Sequence, residues 1–367
     1  MSLQCGIVGL PNVGKSTLFN AVSSTAKAVA SNYRFCTIDP NVGIVNVPDE
    51  RLKILADLVN PQKVTPATIE FVDIAGLVKG ASKGEGLGNK FLANIREVDA
   101  IVHVIRCFDD DNIQREEGEI NPKGDKEIIE TELQLKDLES VEKKIQKTER
   151  AAKSGDAKAK KELEILLLAQ KHLQEGKSIR NLNIPKEELS ALDDLHLLTA
   201  KPVIYVANVD EKSIHTGNVY SEQLQKIAAE EQAEAIVICN SLEAQIAEIE
   251  NQEDKEMFLE EYGLKESGLS RLIRASYKLL NLITYFTAGV QEVRAWTIHK
   301  GWKAPQAAGV IHSDFEKGFI KAEVIKLKDY QQYKTEAACR EAGKIRIEGK
   351  DYVVEDGDIM HFRFNVS

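Results

Sequence analysis

One nine-residue stretch combines glycine, lysine and hydroxyl side chains at a spacing that can bind phosphate: residues 9–17, which read GLPNVGKST. An apolar run at residues 5–8 precedes it and a helix-like run at residues 18–22 follows, which is the strand, loop and helix order of a P-loop. The loop N–H groups can wrap a diphosphate, Lys15 can reach the β and γ phosphates, and the Ser16 hydroxyl can bind Mg²⁺. The sequence therefore predicts a phosphate-binding site that works with Mg²⁺.

Three later residues have types and positions suited to the same site. Thr37 lies in a polar, irregular stretch where a threonine can complete the Mg²⁺ shell and sense the γ-phosphate; a plain surface loop is the alternative. Asp73 ends a buried strand and can hold Mg²⁺ through water, and the Gly76 amide can meet the γ-phosphate. Together with Lys15, these are the predicted catalytic residues. The predicted Mg²⁺ ligands are Ser16, Thr37 and Asp73.

The segment after Gly76 departs from the pattern of the familiar GTPases. Those proteins place a glutamine there to orient the attacking water, whereas Leu77 cannot orient a polar molecule. A glycine-dense run follows at residues 80–88, which is either a second switch or a disordered connector. The attacking water must therefore be positioned by other groups.

Two further strand ends carry candidate base-recognition loops, one at residues 208–211 and one at residues 240–242. The usual guanine reader, N-K-x-D, has Val209 in place of its lysine here and Glu211 in place of its aspartate. Because a carboxylate on a side chain one methylene longer no longer fits guanine, the sequence favours ATP over GTP. Asn208 can donate to a purine N7, and backbone groups of residues 209 and 240–242 can meet the exocyclic amine of adenine. The predicted ATP-binding residues are Asn12, Val13, Gly14, Lys15, Ser16, Thr17, Asn208, Val209, Glu211, Asn240, Ser241 and Leu242.

The elements that must position these residues divide the chain into several parts. With 367 residues, the chain is too long for one ordinary core. Buried strands alternating with helices, one of the strands over residues 100–105, predict an α/β core of the GTPase-like P-loop NTPase type. Helical periodicity from Ile128 predicts an inserted antiparallel hairpin. Alternation after Asn281 predicts a terminal sheet, with a strand over residues 352–354, packed on one helix over residues 304–311. The predicted boundaries are 1–126 and 197–280 for the core, 127–196 for the helical insertion and 281–367 for the terminal domain.

The helical insertion concentrates positive charge. Residues 143–161, the basic segment, contain eight Lys or Arg against two Asp or Glu, although the chain has a net charge of −10. Hairpin arms of about 25 residues would carry this segment about 37 Å from the core. The pattern predicts contact with a phosphate backbone, and a solvated, lysine-rich coiled-coil end is the alternative.

Composition argues against several classes of protein. No apolar stretch approaches the roughly 20 residues that span a bilayer, and residues 1–9 lack signal-peptide features, so we expect a cytoplasmic protein without a membrane partner. The five cysteines are widely spaced and form no CxxC pair, which favours reduced thiols. Cys36, beside Thr37, is either a redox-sensitive position or an inert buried thiol. The lone His103 is more typical of a core histidine than of a catalyst.

Four segments taken together resemble the YchF-type Obg-like ATPase family. They are residues 9–17, 35–41, 73–91 and 287–297, and the resemblance runs from Cys5 to Phe364. It implies a nucleotide-binding core, a coiled-coil insertion and a C-terminal TGS domain of β-grasp type. It also implies ATP hydrolysis with Mg²⁺, stimulation by K⁺ and association with ribosomes.

The same resemblance makes Asn12 a K⁺ ligand, so that K⁺ beside the phosphates would stand in for an arginine finger. Leu77 matches the family's hydrophobic replacement of the catalytic glutamine. Two residues depart from the family pattern: Arg34 stands in place of a proline, and Arg115 in place of a histidine that assists hydrolysis. Because arginine cannot act as a base at neutral pH, hydrolysis would be slower or rely on other groups.

These features lead to one main hypothesis and two alternatives. The main hypothesis is an ATPase switch in which Mg·ATP orders Thr37 and the Gly76 region and changes the pose of the hairpin or TGS domain on ribosomal RNA or protein. Its biological role would lie in translation or stress regulation. One alternative is an Obg-type GTPase. The other is a nucleotide-gated binding module whose hydrolysis is incidental and whose output is the regulation of a protein partner.

Overall fold

A computed structural model of the chain describes residues 3–30, 41–74, 87–110 and 119–365. The chain forms two compact units. The first comprises residues 1–44 and 70–272, and the second comprises residues 45–69 and 273–367. No helix in the described ranges is both long enough and apolar enough to cross a membrane.

The elements are numbered in chain order. The strands are β1 (Gln4–Val8), β2 (Val42–Asn46), β3 (Lys63–Thr65), β4 (Thr68–Asp73), β5 (Ala100–Arg106), β6 (Val203–Asn208), β7 (Glu234–Ile238), β8 (Leu282–Ala288), β9 (Glu292–His299), β10 (Phe319–Lys326), β11 (Arg346–Glu348) and β12 (Asp358–Phe364). The helices are α1 (Lys15–Ala30), α2 (Glu50–Val59), α3 (Leu87–Glu97), α4 (Pro122–Lys153), α5 (Ala157–Gln174), α6 (Lys186–Leu189), α7 (Val219–Glu230), α8 (Asn240–Glu248), α9 (Gln252–Glu261), α10 (Gly268–Leu279), α11 (Ala304–Ile311), α12 (Ser313–Lys317), α13 (Leu327–Tyr333) and α14 (Glu336–Glu341). Short 3₁₀ turns occur at Ile179–Asn181, Ser190–Leu195, Leu198–Ala200 and Glu211–Ser213.

The first sheet has the strand order β2-β4-β1-β5-β6-β7. The pairings from β4 through β7 are all parallel. Every residue of β5 and β6 is buried, as expected for strands that are covered by helices on both faces. The predicted α/β core is confirmed, and the apolar runs of the sequence mark its central strands.

The helical insertion is a hairpin of unequal arms. A turn at residues 154–156 joins α4 to α5, and Gly155 adopts a φ of 98°, which suits glycine. The Asp156 carboxylate caps α5 by accepting from the N–H groups of Lys158 and Ala159. The expectation of two arms of equal length is wrong: α4 has 32 residues and α5 has 18. After α5 the chain returns to the first sheet through the short helical turns at residues 179–200.

Buried polar contacts fix the base of this hairpin. The carboxylate of Asp137, on α4, accepts hydrogen bonds from the backbone N–H groups of residues 198 and 199, at 2.8 and 2.7 Å. Glu130, which also lies on α4 and precedes Asp137, forms an ion pair with Arg180. Arg180 also donates to backbone carbonyls of the returning chain, at residues 199 and 201. The path by which the insertion leaves and re-enters the core is therefore held by charged groups that have hydrogen-bond partners.

His103 is a buried residue of β5, and its Nε2 has no hydrogen-bond partner within the described structure. Burial lowers the pKa of its imidazole to about 3. The nearby Glu130 carboxylate raises this pKa, whereas the positive charges of Lys126 and Arg180 lower it. An unfolded imidazole binds a proton near pH 6.5. Since the unfolded chain then holds more protons than the folded chain, the free energy of unfolding should fall as the pH drops below 6.5.

We expect His103 alone to reduce the free energy of unfolding by about 2–3 kcal/mol between pH 6.5 and 4.5. Urea unfolding of the wild type and of His103→Phe across this range measures the effect, because phenylalanine retains an aromatic ring and does not titrate. The difference in stability between the two proteins should shift in favour of the variant at the lower pH. A difference that does not change with pH would contradict this assignment.

The second unit contains a mixed sheet with the order β11-β10-β12-β8-β9-β3. Helix α11 packs against it through Ala304, Ala307 and Ala308, which share a buried cluster with Tyr285 and Phe362. The predicted bounds of α11 are those observed. Residues 352–354, expected to be a strand, form only an isolated bridge between Val353 and Lys303. The helices α12, α13 and α14 were not predicted, because they are too short to show helical periodicity.

Residues 45–69 fold with the C-terminal residues, although the sequence analysis assigned them to the core. The physical reason is pairing over a long distance in the chain. Strand β3 pairs in parallel with β9, and Arg51, near the start of α2, forms an ion pair with Asp356 at 2.7 Å. The Arg51 guanidinium also lies over the ring of Phe286. The division of the chain into the four predicted ranges remains a prediction.

The described cysteines are buried: Cys5, Cys107, Cys239 and Cys339. Burial raises the pKa of the Cys107 thiol to about 12, so little thiolate exists at neutral pH and the thiol should be unreactive. Cys36, the candidate redox position, lies outside the described residues.

Candidate nucleotide-binding site

The ends of the parallel strands bring the predicted site residues to one edge of the first sheet. Ile7 pairs with Asp73, so the P-loop and this carboxylate leave adjacent strands at the same level. On its other side, β1 pairs with β5, and β5 pairs with β6. Arg106, at the end of β5, lies opposite Asn208, the last residue of β6. Ligands of open α/β sheets bind at this carboxyl edge.

The P-loop backbone depends on two glycines. Gly14 has a φ of 90°, and a Cβ there would lie 2.3 Å from the Asn208 Nδ2. A Cβ on Gly9 would lie 2.8 Å from the Val104 carbonyl oxygen. Helix α1 begins directly afterwards at Lys15, and its free N–H groups face the loop. The close approach of neighbouring groups thus explains both glycines, and the helix start supplies donors for an anion.

A cavity of about 1010 Å³ lies against this loop. It is lined by Leu10, Pro11, Asn12, Gly14, Lys15, Ser16, Thr17, Phe108, Asp109, Asp110, Asn208, Val209, Asp210, Glu211, Lys212, Asn240 and Ser241. Most of the predicted ATP-binding residues are therefore brought together. Two are not on its wall: Val13 and Leu242 are buried, the latter within the hydrophobic core of the sheet. The predicted positions Thr37, Gly76, Leu77 and Arg115 lie outside the described residues.

Lys15 and Asp73 form an ion pair at the phosphate end of the site. In the described part of the chain, no three His, Cys, Asp or Glu residues cluster as a metal site. Mg²⁺ does not require such a cluster, because it commonly binds one or two protein oxygens together with phosphates and water. The Ser16 hydroxyl and the Asp73 carboxylate supply hard oxygen donors of this kind, so these residues fit Mg²⁺.

The two candidate base loops contact the P-loop directly. Asn208 donates from Nδ2 to the Val13 carbonyl at 2.9 Å, and its Oδ1 accepts from the Asn240 backbone N–H at 3.0 Å. Asn240 donates from its own Nδ2 to the Gly14 carbonyl at 3.0 Å. Phosphate-binding and base-binding segments are therefore connected through side-chain amides.

In the first base loop, the neighbouring carboxylates of Asp210 and Glu211 have different surroundings. Asp210 caps the turn at residues 211–213 by accepting from the Ser213 N–H at 3.0 Å. Glu211 begins this turn, lines the cavity and is exposed. The carboxylate at the position where a guanine reader has aspartate is therefore Glu211, and Asp210 is engaged in local structure.

Sequence reasoning missed the segment Phe108–Asp110, which also lines the cavity. Arg106, the last residue of β5, donates to the Phe108 carbonyl at 3.1 Å and to the Asp110 carbonyl at 3.2 Å. Its guanidinium lies over the Phe108 ring, 4.6 Å from the ring centroid. The segment begins two residues after the end of the buried strand β5, and Asp73 likewise lies at the end of β4, so its position was a signal that could have identified it.

Comparison with known proteins shows relatives along the whole chain. The Ribosome-binding ATPase YchF of Haemophilus ducreyi is 57% identical over 100% of both chains, and that of Bacillus subtilis is 56% identical over 100% of both chains. The chain belongs to the YchF family. A family profile described as "50S ribosome-binding GTPase" matches residues 4–144, and one described as "Protein of unknown function (DUF933)" matches residues 282–365.

Solved structures agree with membership of the YchF family. The YchF GTPase of Schizosaccharomyces pombe is 42% identical, and the match covers 99% of this chain and 98% of that chain with a TM-score of 0.90. A GTP binding protein from Pyrococcus horikoshii OT3 is 22% identical over 99% of this chain and 100% of that chain, with a TM-score of 0.62, and shares the fold. The names of these proteins differ in the nucleotide that they specify.

Proposed function

We propose that the chain is an ATP-hydrolysing switch that associates with ribosomes. One observation carries this proposal: a single cavity joins the P-loop to a base loop in which Val209 and Glu211 replace the lysine and aspartate of a guanine reader. The names of the full-length YchF relatives, which combine ribosome binding with ATPase activity, support it. An Obg-type GTPase is the competing assignment, in agreement with the name of the S. pombe relative.

Each residue of the proposed site has a distinct task. Lys15 and the N–H groups at the start of α1 would bind the β and γ phosphates, and Ser16, Asp73 and Thr37 would hold Mg²⁺, which neutralises phosphate charge when bound. The Gly76 amide would meet the γ-phosphate. Since Lys15 and Asp73 are paired with each other, each must exchange its partner for phosphate or Mg²⁺ when nucleotide binds.

Competition binding distinguishes ATP from GTP. We expect unlabelled GTP at the concentration of labelled ATP to displace little of it, because the Glu211 carboxylate does not fit the guanine donors. The double variant Val209→Lys with Glu211→Asp, which restores N-K-x-D, should move the preference toward GTP by at least about tenfold, the effect of roughly 1.4 kcal/mol. Equal displacement by ATP and GTP in the wild type would overturn the proposed preference.

We further propose Asn12 as a K⁺ ligand beside the phosphates. Asn12 lines the cavity and has a φ of 61°, a conformation that glycine adopts without strain. Asn12→Gly therefore removes the side-chain oxygen and preserves the backbone. In the wild type, replacing Na⁺ by K⁺ should raise ATP turnover, and this increase should disappear in Asn12→Gly, as measured by the ratio of turnover in K⁺ to turnover in Na⁺ within each protein. An identical K⁺ response in both proteins would exclude Asn12 as the ligand.

Ribosome association is proposed to involve the basic segment and the C-terminal domain, which we assign to the TGS type by family resemblance. The insertion would act as a coiled coil that presents its basic end. A second candidate function, a nucleotide-gated module that regulates a protein partner, is favoured by Leu77 and Arg115, which weaken the case for fast hydrolysis. Ribosome cosedimentation with ATP and with a non-hydrolysable analogue decides between them: equal, sustained association with both would show that turnover is unnecessary.

A further inference from the structure

Asn240 occupies an unusual position between the two halves of the proposed ATP site. It is the first residue of α8, is separated from β7 only by Cys239, lines the nucleotide cavity and is only 1% exposed. Its backbone N–H and its Nδ2 both have partners, Asn208 Oδ1 and the Gly14 carbonyl. The side-chain Oδ1 is buried and has no hydrogen-bond partner in the described structure.

The orientation of this amide is fixed by its surroundings. If the Asn240 amide were turned over, Oδ1 would oppose the Gly14 carbonyl oxygen, and two acceptors would face each other. Nδ2 must therefore point at Gly14, which leaves Oδ1 as the free end of the group. A buried acceptor without a donor is unfavourable, and because Asn240 lines the binding cavity, its Oδ1 is a candidate for a ligand hydrogen bond.

Adenine and guanine differ in hydrogen-bonding character at the six-position of the base. Adenine carries an exocyclic amine, which donates, where guanine carries O6, which accepts. The Asn240 Oδ1 can accept from the adenine amine but would oppose guanine O6. Asn240 also lies beside Asn208, which occupies the first position of the base-reading sequence and binds the neighbouring P-loop carbonyl at Val13.

We propose that the side chain of Asn240 is a specificity-determining group for adenine: Nδ2 holds the P-loop at Gly14, and Oδ1 accepts a hydrogen bond from the exocyclic amine. This inference rests on the proposed function as an ATP-binding protein and extends it to a residue outside the N-x-x-E sequence. It assigns the purine preference to two loops, with Glu211 unfavourable for guanine and Asn240 favourable for adenine.

The test compares ligands that differ at the six-position of the base; the inosine base also carries a proton on N1. Dissociation constants are measured for ATP, for purine riboside triphosphate, which lacks the amine, and for inosine triphosphate, which carries an oxygen there. The wild type should bind ATP about tenfold more tightly than purine riboside triphosphate, the effect of one hydrogen bond worth about 1.4 kcal/mol. Inosine triphosphate should bind more weakly still.

Variants separate the base contact from the P-loop contact. In Asn240→Ala, the preference for ATP over purine riboside triphosphate should fall close to one, while any loss from the P-loop contact weakens both ligands alike. Asn240→Asp retains an acceptor and should keep the preference, while the loss of the donor to the Gly14 carbonyl weakens both ligands alike. Because each preference is a ratio within one protein, a general loss of folded protein does not produce the expected change.

Two results would overturn the proposal: a wild type that binds ATP and purine riboside triphosphate equally, or an Asn240→Ala variant that retains the wild-type ratio. The first can be obtained even if the alanine variant fails to fold. These measurements involve neither hydrolysis nor ribosomes. A wild type that prefers GTP would contradict the proposed ATP preference as a whole, whereas an ATP preference unaffected by Asn240→Ala would contradict only the role of Asn240.

Discussion

Lys15→Ala is expected to reduce ATP affinity by at least about a hundredfold and to abolish ATP turnover. The variant removes the only P-loop ammonium group, and charge-assisted hydrogen bonds of this kind contribute about 1.5–3 kcal/mol each. Lys15 is proposed to contact both the β and the γ phosphate, so the variant loses both contacts together. Fluorescent-nucleotide titration and phosphate release measure the two effects.

Lys226→Ala provides the matched control for this experiment. Lys226 is an exposed residue of α7 and does not line the cavity, so its replacement removes the same charge without changing the P-loop. ATP binding by this variant should match the wild type. If Lys15→Ala retained wild-type affinity while its thermal unfolding curve was unchanged, the assignment of the cavity as the nucleotide site would fail.

Reversal of Lys158, Lys160 and Lys161 to Glu should weaken ribosome association at least tenfold at physiological salt. These lysines lie in the first turns of α5, are exposed and have no ion-pair partner in the described parts of the chain. Neutralisation of the same residues by Gln should lower the salt dependence of binding by about 2–3 in logarithmic slope, since each phosphate contact contributes about 0.7–0.9. Sedimentation with ribosomes at several salt concentrations measures both effects, and ATP turnover without ribosomes should not change.

Three other lysines of the basic segment, Lys143, Lys144 and Lys153, are less suitable for this test because they are already paired. Lys144 forms ion pairs with Glu162 at 2.7 Å and with Asp194 at 2.5 Å. Reversal of Lys53, Lys226 and Lys265, which are exposed outside the hairpin, changes the net charge by the same amount and serves as the control. Equal weakening by both triple variants would indicate a general charge effect and would contradict a specific role for the basic segment.

Local sequence patterns predicted a helix or strand correctly where that element is regular and long enough to show its period. The apolar run that predicts a strand over residues 100–105 corresponds to β5, and the predicted helix over residues 304–311 is α11. They were insufficient for β3, which has three residues and pairs with a strand more than two hundred residues later. They also missed α12 to α14, because helices of five to seven residues complete at most two turns.

The charge of the hairpin was likewise only partly visible in the sequence. The count of basic residues in the segment is a property of composition, and the exposed lysines at the start of α5 agree with it. The availability of each lysine depends on carboxylates elsewhere in the chain. Lys144 is neutralised by Asp194 across 50 residues, which no local charge count reveals.

The sequence by itself determined the chemistry of the site. Residues 9–17 specify phosphate binding, because glycine, lysine and hydroxyl groups at that spacing have few other uses, and Val209 and Glu211 weaken a guanine-reading assignment before any fold is known. Only the tertiary structure decided which of these groups meet. The Asn208 and Asn240 amides reach P-loop carbonyls 195 and 226 residues away, and Lys15 pairs with Asp73, because strand order and register bring distant segments to one edge of the sheet. Such contacts depend on the packing of the whole sheet, so local residue patterns do not predict them.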